Sequence, residues 1–223
     1  MLNKKIIIHV MAFLLLIEGA FMLISFGFSV YYNESDMWAL GVSSGICFLV
    51  GSILWFLTKN AEKNIKKRDG YVIVSLVWII FSFFGSLPFI LSEAIPSFTN
   101  AFFETMSGFT TTGASILNDI EALPHGLLFW RSITQWLGGM GIIVLSLAIL
   151  PIFGIGGMQL FIAEVPGPTP DKLHPRIKET AQRLWYIYIL FTLAETLLLK
   201  FGGMEFFDAI CHSFTTMATG GYS

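Results

Sequence analysis

Polar residues are sparse along most of this chain, and the pattern resolves into five long apolar runs separated by polar loops. They extend roughly from Ile6 to Val30, Trp38 to Leu57, Tyr71 to Leu91, Leu127 to Leu150 and Leu184 to Phe201. Each is close to the ~20 residues that an α-helix needs to cross the hydrocarbon layer. The pattern therefore predicts an all-α integral membrane protein. Lys4 and Lys5 precede the first run as they would in a signal peptide, but the run is too long and no small-residue cleavage pattern follows it. It is read as a retained helix.

The stretch from Pro96 to Pro124, between the third and fourth runs, breaks this alternation. It is too long for a tight turn and, with Phe98, Phe102, Phe103, Met106 and Phe109, too apolar for an ordinary solvated loop. It is expected to dip back into the membrane. Asn100 to Phe109 reads as a short helix, because Phe102, Met106 and Phe109 recur at helical spacing. Thr110, Thr111, Thr112, Gly113 and Ala114 follow as extended backbone. Non-helical backbone at membrane depth is tolerated only where protein buries it or where it lines a watery cavity. Carbonyls turned into such a cavity replace an ion's hydration shell, and glycine lets the backbone approach the ion. A short helix ending there also aims its negative end at a cation.

The same layout returns after the fifth run. Asp208, Ala209, His212 and Phe214 occupy the places of Asn100, Ala101, Glu104 and Met106, and Thr216, Met217, Ala218, Thr219, Gly220 and Gly221 follow. A one-residue gap brings Gly113 onto Gly220. Each unit thus reads as span, short helix, glycine-ended segment, span, and the second unit is expected to be incomplete at Ser223.

Charge sets an expected orientation. Lys4 and Lys5, then Lys59, Lys63, Lys66, Lys67 and Arg68, then Lys172, Arg176, Lys178 and Arg183 all fall on one side of the five spans. Cations in short loops stay cytoplasmic, so the N-terminus is expected inside. The alternate loops carry Glu34, Asp36, Glu93, Asp119, Glu121, Glu205 and Asp208, an acidic outer rim that concentrates cations. Composition agrees with the class: 55% of residues are apolar, 13% are charged and mean hydropathy is +0.73. The net charge of −2 offers no basic face for nucleic acid. Cys47 and Cys211 sit in or near apolar stretches and imply no disulfide framework.

No nucleophile elbow, zinc signature or paired carboxylate appears, so nothing supports an enzyme. His9, His125, His174 and His212 are too scattered for a metal set. Gly138, Gly139 and Gly141 suit close helix packing, whereas Gly154, Gly156 and Gly157 suit a turn at the end of the fourth span. Glu18 and Glu195 lie inside spans, where an ionisable group is expensive and is either functional or, at a helix interface, protonated or paired with Ser, Thr or Arg. Arg131 is within reach of Glu104 or Glu121, and a structural ion pair or simple snorkelling is its expected role.

Four segments carry a family resemblance: Phe102 to Leu117 (FFETMSGFTTTGASIL), Trp136 to Pro151 (WLGGMGIIVLSLAILP), Gly154 to Pro168 (GIGGMQLFIAEVPGP) and Phe207 to Ser223 (FDAICHSFTTMATGGYS). They resemble the Trk-type bacterial potassium uptake proteins of the TrkH branch, along the whole chain. The two leading helices with their basic loop, and Ala163 to Pro168 followed by Pro175, Arg176 and Ile177, match that branch rather than its KtrB relatives. The resemblance implies four units around one pore, two extra helices ahead of them, and potassium uptake across a bacterial inner membrane. It places the transported K+ on the filter backbone of Thr110, Thr111, Thr112 and Gly113 and of Met217, Ala218, Thr219 and Gly220, with no resident cofactor. Glycine at Gly113 and Gly220 goes with potassium preference in the superfamily. A homodimer with a cytoplasmic TrkA-type nucleotide-binding regulator is also implied.

The resulting organisation is a two-helix domain over residues 1–69, a first pore unit over 70–151, a cytoplasmic connector over 152–179 and an incomplete second pore unit over 180–223. An ion-coupled secondary transporter with discontinuous helices is the main competing reading. A non-conducting truncated subunit is the third.

Overall fold

The computed structural model describes residues 2–61, 67–141 and 176–223. The described residues are helices joined by turns, with no strand among them. The first two apolar runs become α1 (Lys4–Tyr32) and α2 (Met37–Thr58). The third becomes α3 (Lys67–Gly85) and a five-residue α4 (Leu87–Leu91), interrupted at Ser86, where Pro88 enters the first turn of α4. Then come α5 (Phe98–Phe109), α6 (His125–Gly139), α7 (Arg176–Phe201) and α8 (Phe206–Met217). Among the described residues four stretches are long and apolar enough to cross a membrane: Lys4–Tyr32, Met37–Thr58, Arg68–Leu91 and Gln182–Phe201.

The fourth predicted span departs from expectation. Leu127 to Leu150 was expected to be one helix, but α6 ends at Gly139, Met140 caps it and Gly141 turns to φ 63. Three glycines in four residues give the helix its lowest propensity where it stops. The remainder of that run lies outside the described residues, as do Lys63 and Lys66 of the first basic loop and, up to residue 175, the connector with its glycine cluster.

α1 is the central element. It packs along α2 and also against α3 and α6, and it buries Ile6, Val10, Leu14, Leu15 and Met22. Both of its ends are tied by polar contacts. At the first end the Asn3 side chain accepts from the Ile6 amide and the Asn3 amide donates to Asp69 Oδ1 at 2.9 Å. His9 meets Thr58 Oγ1 at 2.9 Å and stacks on Trp55. At the other end Asn33 closes α1 in the left-handed region, and Glu34 accepts from the His125 amide at 2.6 Å and pairs with its ring at 2.7 Å. The Ser29 hydroxyl donates to Asp36 beside it. The leading helix pair is thus pinned to α3 and to the start of α6.

α2 and α7 present the apolar side chains Leu49, Ile53, Phe56, Leu190, Leu193 and Leu198 outward. In a multi-pass membrane protein such an apolar surface meets lipid or other membrane helices. The two short helices lie inside it, with α5 packed on α3 and α6, and α8 packed on α7 and α6.

Candidate functional site

α5 and α8 have 12 residues each and end in the same way. The amide of Thr110 returns to the Met106 carbonyl, that of Thr111 to Gly108 and that of Thr112 to Ser107. At the matching places Ala218 returns to Phe214, Thr219 to Thr216 and Gly220 to Thr215. Thr111 and Thr219 both have positive φ, 54 and 58, which a β-branched residue rarely adopts. Two residues on, Gly113 and Gly221 do the same at 74 and 59.

The two turns therefore correspond at one constant offset, and the gap used to bring Gly113 onto Gly220 is not needed. Gly113 corresponds to Gly221, and Thr112 to Gly220. The backbone decides this register, because a glycine is called for where φ is positive rather than where the residue names align best. The offset continues outward: the Ser115 hydroxyl donates to Glu104 Oε1 at 2.8 Å, and Ser223 meets His212 Nδ1 at 2.9 Å in the equivalent place. Of the predicted extended segments, Thr110 and Ala218 are helix caps and Met217 is the last residue of α8.

The two segments touch. A Cβ built on Gly113 would fall on the Gly220 carbonyl oxygen, so nothing larger than hydrogen fits between them. Behind them stands α6. A Cβ on Gly138 would fall on the Phe109 carbonyl oxygen, where α5 ends, and the Gln135 amide fills the place a Cβ on Gly220 would take. Thr110, Thr112 and Thr219 are exposed. Thr110 Oγ1 and Thr112 Oγ1 lie 2.8 Å apart, and Thr110 Oγ1 also donates to the Met106 carbonyl at 2.7 Å.

A buried polar layer joins the segments from behind. Glu104 and Arg131 are 0% and 1% exposed, and Arg131 Nε donates to Glu104 Oε1 at 2.8 Å. This is the expected ion pair, with Glu104 rather than Glu121 as the partner. Glu104 Oε2 also accepts from the Ile116 amide at 2.9 Å, so the carboxylate anchors the chain just past Gly113. Arg131 Nη1 donates to the Tyr222 carbonyl, its guanidinium lies 3.5 Å above the Tyr222 ring, and the Tyr222 hydroxyl donates to the Glu104 carbonyl. Arg131 Nη2, Ser107 Oγ and both amide atoms of Gln135 are buried with no hydrogen-bond partner among the described residues.

The remaining candidates are scattered. Glu18 is buried in α1 with neither carboxyl oxygen hydrogen-bonded among the described residues, whereas Glu195 on α7 is half-buried. Cys47 and Cys211 are free and buried. No group of three His, Cys, Asp or Glu suited to a metal occurs among the described residues. Sequence reasoning missed Tyr222, Gln135 and Ser115. Only Gln135 left a signal, one helical turn beyond Arg131 and so on the same face of α6.

A family model described as "TrkH: Cation transport protein" matches residues 42–223. The chain is 46% identical over 224 residues to the Trk system potassium uptake protein TrkH of Escherichia coli strain K12, covering all of this chain and 46% of the relative. It is 38% identical over 223 residues to the Trk system potassium uptake protein TrkG of the same strain, covering 99% of this chain and 46% of the relative. The crystal structure of the potassium transporter TrkH from Vibrio parahaemolyticus matches with a TM-score of 0.81 and 39% identity, over all of this chain and 44% of that one. The chain thus spans just under half the length of these relatives. With a family model that matches most of its residues and a solved neighbour that matches its fold, this chain belongs to the TrkH family of cation transport proteins.

Proposed function

We propose that the chain contributes two of the wall segments of a gated, potassium-conducting pore. Thr110 to Gly113 and Met217 to Gly220, extended to Gly221 by the backbone register, present the carbonyls that stand in for water around K+. The observation that carries this reading is the contact of two glycine-bearing segments, each following a 12-residue helix by the same turn, with the Gly220 carbonyl pressed against Gly113. Short helices ending at such segments aim their negative ends at one place, which favours a cation. Positive φ at Thr111 and Thr219 adds support, since strain of about 1–3 kcal/mol at each persists only where its surroundings enforce it. Relatives named as potassium uptake proteins give the ion its identity.

The chain lies in a bacterial inner membrane with its N-terminus cytoplasmic, on the strength of the one-sided Lys and Arg loops. Residues 1–69 form a supporting helix pair, 70–151 and 180–223 the pore units, and 152–179 the inner connector. A homodimer regulated by a TrkA-type nucleotide-binding ring on the inner loops completes the assembly. The test is Gly113→Ser in a full-length transporter carrying this segment, with uptake of K+ and Na+ measured side by side. Discrimination against Na+ is expected to fall, and an unchanged ratio would refute the filter assignment.

A further inference from the structure

We propose that Arg131 and Tyr222 form a brace that sets the spacing between the two glycine-bearing segments and so helps to set ion selectivity. This rests on the filter reading above. Arg131 belongs to α6, Glu104 to α5 and Tyr222 to the chain just past Gly221, so the three groups come from three separate parts of the fold.

One guanidinium serves both segments. Nε holds Glu104, whose carboxylate in turn holds Ser115 and the Ile116 amide immediately after the first segment. Nη1 holds the backbone carbonyl of Tyr222, immediately after the second. Tyr222 closes the loop by donating its hydroxyl to the Glu104 carbonyl, while its ring lies under the same guanidinium. Arg131 and Glu104 are the two ends of a buried ion pair, and Tyr222 is 2% exposed, so these bonds act without competition from water.

The geometry gives the brace its consequence. The segments meet backbone to backbone at Gly113 and Gly220, with no side chain between them to act as a spacer. Their separation must be held from behind. A planar fork suits this task, because it fixes two acceptors at a set distance, which the single ammonium of a lysine does not do. The brace touches no ion, so Arg131 and Tyr222 are positioning residues.

The experiment compares Tyr222→Phe, Arg131→Lys and Gly113→Ser in a full-length transporter carrying this segment, at matched membrane abundance. K+ and Na+ uptake are read as half-saturation and maximal rate for each ion. Tyr222→Phe keeps the ring and removes one hydroxyl. The Glu104 carbonyl it leaves lies mid-helix in α5, where the Gly108 amide is its ordinary partner, so the change is mild enough to fold. Tyr222→Phe and Arg131→Lys are each expected to lower the K+ over Na+ preference several-fold, chiefly by raising the half-saturation for K+. The double variant is expected to do little more than either alone, because both changes open the same brace. If Arg131→Lys fails to reach the membrane, Tyr222→Phe decides alone. Unaltered preference in Tyr222→Phe beside an altered one in Gly113→Ser would overturn the brace and leave the filter standing. Unaltered preference in all three would overturn both.

Discussion

Replacing Glu104 by Gln tests whether the buried polar layer is held by charge. The carboxylate is fully buried and accepts from Arg131 Nε, Ser115 Oγ and the Ile116 amide at 2.8, 2.8 and 2.9 Å. Gln keeps the shape and one acceptor oxygen but removes the negative charge. With that oxygen at the Oε1 place Arg131 Nε keeps a neutral acceptor but loses its counter-charge, the Gln NH2 faces the Ile116 amide as donor to donor, and Arg131 Nη2 is already without a partner among the described residues. Breaking a buried pair from one side costs about 3–5 kcal/mol. In a full-length transporter about twice as long as this chain, each kcal/mol moves the melting midpoint by about 1–2 °C, so a loss of about 3–10 °C is expected. Adding Arg131→Met should recover part of it, because no charge remains to be compensated. What stays is the Tyr222 carbonyl without its donor, worth about 1–3 kcal/mol. The expected order of midpoints is wild type, then Glu104→Gln with Arg131→Met, then Glu104→Gln alone. Thermal denaturation of the detergent-solubilised full-length transporter, followed by size-exclusion fluorescence, reads this order directly. A single variant as stable as wild type, or a double variant less stable than the single, would refute the reasoning.

Three further outcomes follow from packing and burial. Gly220→Ala should disturb transport because its methyl meets the Gln135 amide, and Gln135→Ala should relieve it; Gly113→Ala should find no such rescue, since its methyl meets the Gly220 backbone at a φ of 74. Uptake assays on the four variants check the contrast. Gly138→Ala should cost about 1–3 kcal/mol against the Phe109 carbonyl, while Gly45→Ala on α2, with nothing within 4 Å of its new methyl, should be neutral or stabilising, as melting midpoints would report. Burial pushes the Asp36 carboxyl above the usual aspartate range, with the Ser29 hydroxyl opposing and Glu34 reinforcing the rise. A raised folded-state value means that its contribution to stability is complete below the unfolded value and is lost as pH rises through the folded one. Melting scans from acid to neutral pH should therefore fall less steeply in Asp36→Asn.

Four of the five spans were legible because length and apolarity define them, and the short helix before Gly113 was legible because Phe102, Met106 and Phe109 share a face. Three features were not. The break after Gly139 hid inside a run that stays apolar to Leu150, where hydropathy carries no information on whether the backbone stays helical. The register of the second segment was misplaced by one residue because Gly220 and Gly221 offer two anchors, and only the dihedrals of Thr219 and Gly221 choose between them. Tyr222 gave no signal at all, since its role arises from the approach of the segment after Gly221 to a helix residue 91 positions earlier, Arg131. Glu104 with Arg131 lay between these cases: opposite charges 27 residues apart suggested a pair, and the structure selected Glu104 over Glu121.

These features share a physical cause in the solvent. Apolar packing within a bilayer gains little from excluding lipid, because lipid tails are as apolar as the side chains they replace. Burying Leu or Phe against α6 therefore does little to hold α5 and α8 in place. Close backbone approach and buried hydrogen bonds remain, and α6 supplies both on one face. Arg131 and Gln135 project toward the second segment, and one to two turns further on Gly138 and Gly139 withdraw every side chain from the ends of α5 and α8. α6 is buried nearly all round, and the face that meets the two segments is its least tolerant one. Substitution among the exposed apolar residues of α7, such as Leu193 or Leu198, should leave selectivity untouched, whereas a single methylene or one lost bond on the face of α6 that meets the segments should alter it.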